Sequence, residues 1–235
     1  LEVVGLRRVR LMQKLWVIRK SPYRENSLLL TVLTEKNRLC RVISRGGRGT
    51  SRLGEFQPFF AEIKQRSGGL GTLVKPEAAG ARLPLQGLAL VSGLYANEIL
   101  HWIVPDDAEV DDLFAHYTQT LQQISQEEFS TLRRFERCLL EAAGAYPELR
   151  HDHQGLPIEP HATYRLLHHQ QLVRVESEAV DGLRGVDWIA LAESRYDVGA
   201  TARYAKWLHR QLIDHATGGR RLVTRDMLSD LGISS

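Results

Sequence analysis

Cysteine is nearly absent from this sequence: Cys40 and Cys138 are the two in 235 residues. They fall far apart and in different expected elements, so neither a disulfide framework nor a CxxC zinc pattern can be built. A reducing cytosol is the expected home. Apolar runs are short as well, none approaching the ~20 residues that a membrane-spanning helix needs. The opening stretch LEVVGLRRVRLMQKLW has arginines but no apolar core behind them and no small-residue cleavage site, which argues against a signal peptide. An initiator Met is missing, and Met12 stands just before the first convincing strand. Residues 1–12 are therefore expected to be an extension with little structure.

Catalytic fingerprints are missing too. Gly46-Gly47-Arg48-Gly49 and Gly68-Gly69-Leu70-Gly71 lack the following helix and the Lys-Ser/Thr of a phosphate-binding loop. No Gly-x-Ser-x-Gly elbow occurs. Cys40 sits in mid-strand and Cys138 among apolar helix neighbours, positions that suit packing better than nucleophilic chemistry. His151, His153, His161, His168 and His169 cluster with Asp152 and Glu159, yet on a loop and a hairpin tip without a recognised zinc spacing. Surface histidines, no metal, no cofactor and no enzyme activity are the expectation.

Negative charge is scarce in one half of the chain. Residues 1–80 carry a balance of +10 and residues 81–235 a balance of −7. Such a split points to a polyanion-facing N-terminal module and a differently employed remainder. The positive charge is densest from Lys36 to Gly54, which holds six Lys or Arg and no Asp or Glu. Two apolar runs, Ser27–Thr34 and Leu39–Ser44, flank Glu35-Lys36-Asn37-Arg38, the pattern of a β-hairpin with a loop of about four residues. The second strand runs into Arg45-Gly46-Gly47-Arg48-Gly49-Thr50-Ser51-Arg52. Arg38, Arg41, Arg45, Arg48 and Arg52 are the candidate phosphate contacts, with Arg19, Lys20 and Arg24 as lesser candidates, and nothing near them in sequence neutralises them.

Leu15–Ile18, the hairpin strands, Phe56–Gln65 and Gly71–Lys75 make five strands within about 65 residues. Five strands with a long loop after the third is the OB-type count, although an SH3-like barrel has a similar pattern. At residues 82–86 the apolar period changes from two to 3.6. Stripes beginning at Leu88, Val110 and Phe129 predict three amphipathic helices that bury against one another. A small hairpin follows over 163–176, then helices over 188–193 and 200–213, and a last helix N-capped by Thr224. The chain is thus α+β: an OB-fold β-barrel over residues 13–80, then a mainly helical domain over 81–235 with a small β insertion at about 147–180.

With these pieces placed, the sequence resembles the bacterial recombination mediator family RecO. The resemblance rests on Trp16-Val17-Ile18, Ser21–Leu30 and Val32-Leu33-Thr34, then Gln57-Pro58-Phe59 and Ser92–Glu98. Leu132–Glu136, Leu139-Leu140-Glu141, and Gly218-Gly219-Arg220 with Thr224-Arg225 continue it. It implies an N-terminal OB-fold, a helical C-terminal domain and a role in recombinational repair. Single- and double-stranded DNA binding, strand annealing, and the loading of RecA with RecR onto SSB-coated DNA are implied as well. Many members carry a four-cysteine zinc element; this chain has no such cysteines. Arg137 stands where a Leu would suit the apolar stripe.

An SSB tail ends in acidic residues and an apolar aromatic, so its receptor should be an apolar pocket rimmed by cations. Arg133 and Arg137 on one helix, with Arg203 and Lys206 on another, could form such a rim if the two helices pack side by side. Two other readings fit the residues: an RNA-binding OB module in translation or RNA processing, and an enzyme using the histidine loop for a metal.

Overall fold

The computed structural model describes residues 12–45, 53–66, 69–167, 170–176, 182–196 and 199–230. Arg48, Arg52, His168 and His169 lie outside the described residues, as does all of the expected extension but Met12. The chain forms two compact units.

The first unit runs to Pro84 and takes in Pro105–Ala115. It contains β1 (Gln13–Tyr23), β2 (Ser27–Thr34), β3 (Leu39–Arg45), β4 (Pro58–Arg66) and β5 (Gly69–Ala78), closed into a barrel of order β1-β2-β3-β5-β4. β3 and β5 pair in parallel and the other neighbours antiparallel, and β1 closes on β4. This is the topology of an OB-fold, and it excludes the SH3-like alternative. Strand alternation builds the interior: Leu15, Val17, Leu30, Val32, Cys40, Val42, Phe59, Ala61 and Leu73 form one buried cluster. On β4 the side chains alternate between two faces, with Phe59 and Ala61 inward and Phe60 exposed.

The β2–β3 turn depends on Asn37, whose φ of 60° lies in the left-handed region that Asn tolerates. Its N–H donates to the Thr34 carbonyl at 2.9 Å, and the Thr34 N–H donates to the Arg38 carbonyl at 3.0 Å.

The second unit comprises Leu85–Val104 and the chain from His116 onward. Its main helices are α1 (Gly87–Ile103), α2 (Leu113–Gln123, which starts in the first unit), α3 (Glu128–Ala142), α4 (Gly185–Ala192), α5 (Gly199–Ala216) and α6 (Val223–Asp230). A three-stranded sheet is made by β6 (Thr163–Leu167), β7 (Gln171–Val175) and β8 (Leu183–Arg184) in the order β7-β6-β8. β8, two residues long, carried no readable alternation.

α1, α3 and α5 meet around one buried carboxylate. Glu136 accepts from Tyr95 Oη at 2.7 Å, from Arg133 Nη2 at 2.7 Å and from His209 Nδ1 at 2.9 Å. Glu136 and His209 are both 0% exposed. Burial holds His209 below its ordinary pKa despite the facing carboxylate. The neutral ring therefore donates from Nδ1, and Nε2 is left to accept from Tyr146 Oη at 3.4 Å. Burial alone would raise Glu136, but the Arg133 charge and the bonds from His209 and Tyr95 hold it below the usual carboxylate range.

α6 departs from expectation at its start. Thr224 lies within the first turn rather than before it, and the cap comes from α1. Glu98 accepts from the N–H groups of Val223 (2.9 Å) and Thr224 (3.0 Å) and from Thr224 Oγ1 (2.6 Å). A carboxylate at a helix N-terminus satisfies orphan donors and meets the favourable end of the helix dipole.

Candidate nucleic-acid interface

Strand register gathers the basic residues of the barrel into rows. Thr31 of β2 stands opposite Arg19 of β1 on one side and Arg41 of β3 on the other. Four residues back along β2, Ser27 stands between Tyr23 and Arg45 in the same way. Opposite residues in a ladder share a face, so Arg19 and Arg41 flank one strand, as do Tyr23 and Arg45. The burial pattern of β3 agrees, with Cys40, Val42 and Ser44 inward and Arg41 and Arg45 exposed. A shift of register between Val17 and Arg19 brings Arg19 opposite Thr31. Tyr23 was not singled out from the sequence; its partner Arg24 sits at φ 54° in the β1–β2 turn, with its guanidinium 5.4 Å from the Tyr23 ring centroid.

The structure corrects one electrostatic reading. Arg38 and Arg41 have acidic neighbours after all, brought from the segment Pro105–Ala115. Arg38 Nη2 lies 3.3 Å from Asp107 Oδ1, and Arg41 Nη1 lies 3.4 Å from Asp106 Oδ2. The segment is fixed by backbone bonds: the Leu39 N–H donates to Ala108, the Asp107 N–H to Leu39 and the Val110 N–H to Asn37. The Asn37 side chain also accepts from the Phe114 N–H at 3.0 Å. Both ion pairs are solvent-exposed, where such pairs contribute little and are screened by salt. Lys20 is similarly placed, with Nζ 3.4 Å from Glu55 Oε2.

In the helical unit, α3 and α5 do pack together. Leu132, Phe135, Leu139, Ala205, Leu208 and Leu212 are all buried there, so the apolar stripes meet each other and leave no open floor between the helices. Arg133 is buried against Glu136, with its guanidinium 5.4 Å from the Phe129 ring. Arg137 reaches the chain after α4: Nη1 donates to the carbonyls of Leu191 and Ala192 at 2.9 Å each and to Ser194 Oγ at 3.0 Å, while Nε pairs with Glu141 at 2.7 Å. This explains an arginine on an apolar stripe, since it ties α3 to the carbonyls at the end of α4, of which that of Leu191 also accepts from the Ser194 N–H at 3.0 Å. Beside it opens a cleft of about 260 Å³, lined by Arg137, Arg150, Tyr146, Leu149, Glu141 and Glu148 among others. Arg203 is exposed and Lys206 half-buried on α5.

Of the described histidines in this stretch, His151 Nδ1 lies 3.8 Å from Glu148, and His153 and His161 are exposed. Among the described residues no three His, Cys, Asp or Glu stand close enough to share a metal. Burial pushes the Cys40 thiol up, against the opposing charge of Arg38. No helix among the described residues is long and apolar enough to cross a membrane.

Fold and basic face together define a protein built on an OB-fold barrel with an appended helical unit. Residues 84–183 match the family model for the C-terminal part of recombination protein O. Proteins described as DNA repair protein RecO are similar over most of the chain. The one from Pseudomonas paraeruginosa is 36% identical over 219 residues, 92% of this chain and 93% of its own length. Those from Serratia proteamaculans and Pseudomonas putida strain GB-1 are each 34% identical, covering 92% of this chain and 92% and 96% of their own lengths. The chain belongs to the RecO family of DNA repair proteins.

Proposed function

We propose that the β1–β2–β3 face of the barrel binds DNA and that the protein anneals complementary single strands in recombinational repair. The observation that carries this is the register that sets Arg19 and Arg41 on either side of Thr31, with Tyr23 and Arg45 two rows along on the same face. Cations in rows neutralise successive phosphates, and each neutralised phosphate releases condensed counterions. Arg48 and Arg52 extend the same run of positive charge in the sequence beyond β3. Annealing asks for no bond-making chemistry. It needs two polyanions brought together with their repulsion screened, which a basic surface supplies without a catalytic group or metal.

Membership of the family supports the wider role: action on SSB-coated DNA with RecR as partner, RecA being loaded as the outcome. The acidic tail of SSB is assigned to the helical unit. With the stripes of α3 and α5 buried, the opening that best fits an apolar residue beside a carboxylate is the cleft walled by Tyr146, Leu149, Arg137 and Arg150. Arg203 and Lys206 on α5 are the other cationic candidates.

The test is a strand-annealing assay with complementary oligonucleotides, with and without SSB, compared with RNA strands of equal length. Acceleration of DNA annealing that persists on SSB-coated strands is expected. Annealing no faster than the protein-free control, or equal service to RNA, would remove this reading and favour the RNA-binding alternative.

A further inference from the structure

Annealing brings two strands together, and the barrel face proposed above would hold one of them. We propose that the outer face of α5 is a second single-strand site, with the Trp207 indole stacking a base and Arg203 and Arg210 meeting the flanking phosphates. The proposal rests on the DNA-binding reading above but on different residues.

Trp207 is 47% exposed, whereas Trp16 and Trp188 are buried and Trp102 lies beneath the Arg220 guanidinium at 4.0 Å. A tryptophan this open on a helix has a cost in apolar surface facing water, and it is held in a fixed pose. Its ring lies 5.0 Å from that of Tyr204, which in turn meets the fully buried Trp188 of α4 edge-on at 4.9 Å. The three rings form a ladder from the core to the surface, so the last ring is presented rigidly and loses little freedom on binding.

What surrounds the ring selects the ligand. Arg203 and Arg210 lie one helical turn before and after Trp207, and both are exposed. Their axial offsets from the indole are about 6 Å and 4.5 Å at the α-helical rise. On α5 Trp207 is the one exposed large apolar side chain among the described residues. A helix face that docks a peptide or a second helix presents apolar anchors at i, i+3 or i+4, and i+7. A nucleic-acid platform instead needs one aromatic ring between cations, since every base has a π-face and every linkage a charge. The α5 face has the second composition.

The experiment follows intrinsic tryptophan fluorescence of the full chain as a long oligothymidylate is added. Quenching is expected in the wild type and its loss in Trp207→Phe, which keeps an aromatic ring and the fold. Trp207→Ala should slow annealing about tenfold, in line with the loss of one stacked base. The pair Arg203→Ala with Arg210→Ala should lower the log–log salt slope of binding by about 0.7 for each phosphate no longer neutralised. In Arg41→Ala with Arg45→Ala the Trp207 quenching should survive, which separates this site from the barrel. Equal quenching in Trp207→Phe would overturn the proposal, as would wild-type annealing by Trp207→Ala. So would quenching by an acidic peptide ending in an aromatic residue but not by the oligonucleotide.

Discussion

Arg41 and Asp106 stand 65 positions apart in the chain, yet their charged groups lie 3.4 Å from one another on the surface of the barrel unit. The neighbouring pair Arg38–Asp107 repeats the arrangement at 3.3 Å. Each carboxylate occupies a place where a phosphate could compete for the same guanidinium. Exposed pairs of this kind are worth about 0–1 kcal/mol, so they tune affinity without closing the face. Asp106→Asn with Asp107→Asn is therefore expected to raise single-strand affinity about two- to fivefold at low salt. The gain should fade as salt is added. Fluorescence anisotropy with a labelled oligonucleotide at several salt concentrations measures this, and unchanged affinity would show that Arg38 and Arg41 do not face the DNA.

The converse substitutions test the rows directly. Arg41→Ala and Arg45→Ala should each weaken binding and flatten the log–log salt dependence by about 0.7 on single strands. Neither side chain fills the core, both being exposed on β3, so thermal stability should hold. A fall in affinity at constant salt slope would mean that the weakening came through structure rather than through a phosphate.

The architecture was largely legible because it follows local periodicity. The β2–β3 hairpin, the two faces of β4 and the stripes of α1 to α3 are written at spacings of two and 3.6. What was not legible is what long-range closure decides. Asp106 and Asp107 lie between two of the expected helices, and nothing in their spacing says that this segment lies along β3. Nothing in the spacing of α1 marks Glu98 as the residue that caps α6. Arg137 looked like an interruption of an apolar stripe, because the carbonyls it satisfies lie 54 and 55 residues away. Arg19 and Arg41 were named as candidates, but only the register places Thr31 between them.

The Glu136 cluster predicts a pH dependence of stability. Folding lowers the pKa of His209 from an ordinary 6.5 and that of Glu136 from an ordinary 4.5. In both cases the unfolded chain binds the proton more readily, so stability is fully present above about pH 6.5 and is lost as the pH falls. His209 acts first and Glu136 below it. Glu136→Ala should cost about 3–5 kcal/mol, because it leaves Arg133 charged and buried without its partner. Chemical denaturation at pH 7.5 and 5.5 checks both: the wild type should lose stability between the two, and Glu136→Ala should already be low at the higher pH. A wild type equally stable at both would contradict the buried neutral histidine.

Glu98 offers a test of the remote cap. Its carboxylate accepts two backbone N–H groups and a hydroxyl at the start of α6. Glu98→Gln keeps the size and one acceptor oxygen but loses the charge that complements the helix dipole. A loss of about 0.5–2 kcal/mol is expected, within the range for an N-cap. It should be concentrated in α6, so hydrogen exchange of the amides of Val223 and Thr224 should quicken while those of α3 stay protected. Uniform acceleration through the helical unit would instead assign Glu98 to the core of the bundle.

Arg137→Leu separates packing from binding in the same unit. Leucine restores the apolar periodicity of α3, yet it abandons the Leu191 and Ala192 carbonyls, the Ser194 hydroxyl and the Glu141 carboxylate. It also removes a guanidinium centred 4.8 Å from the Tyr146 ring. The Leu191 carbonyl keeps the Ser194 N–H as a donor, but an unsatisfied carbonyl such as that of Ala192 costs about 1–3 kcal/mol when it stays buried, and the ion pair with Glu141 is lost as well. The variant is therefore expected to be less stable, with the chain after α4 loosened. Arg150→Ala, at the same cleft, removes a cation whose guanidinium is not tied into that network and should leave stability unchanged. If the cleft receives the acidic tail of SSB, both variants weaken binding of a labelled tail peptide, whereas only Arg137→Leu lowers the melting temperature. Undiminished peptide binding by Arg150→Ala would move the receptor to the Arg203 and Lys206 side of α5.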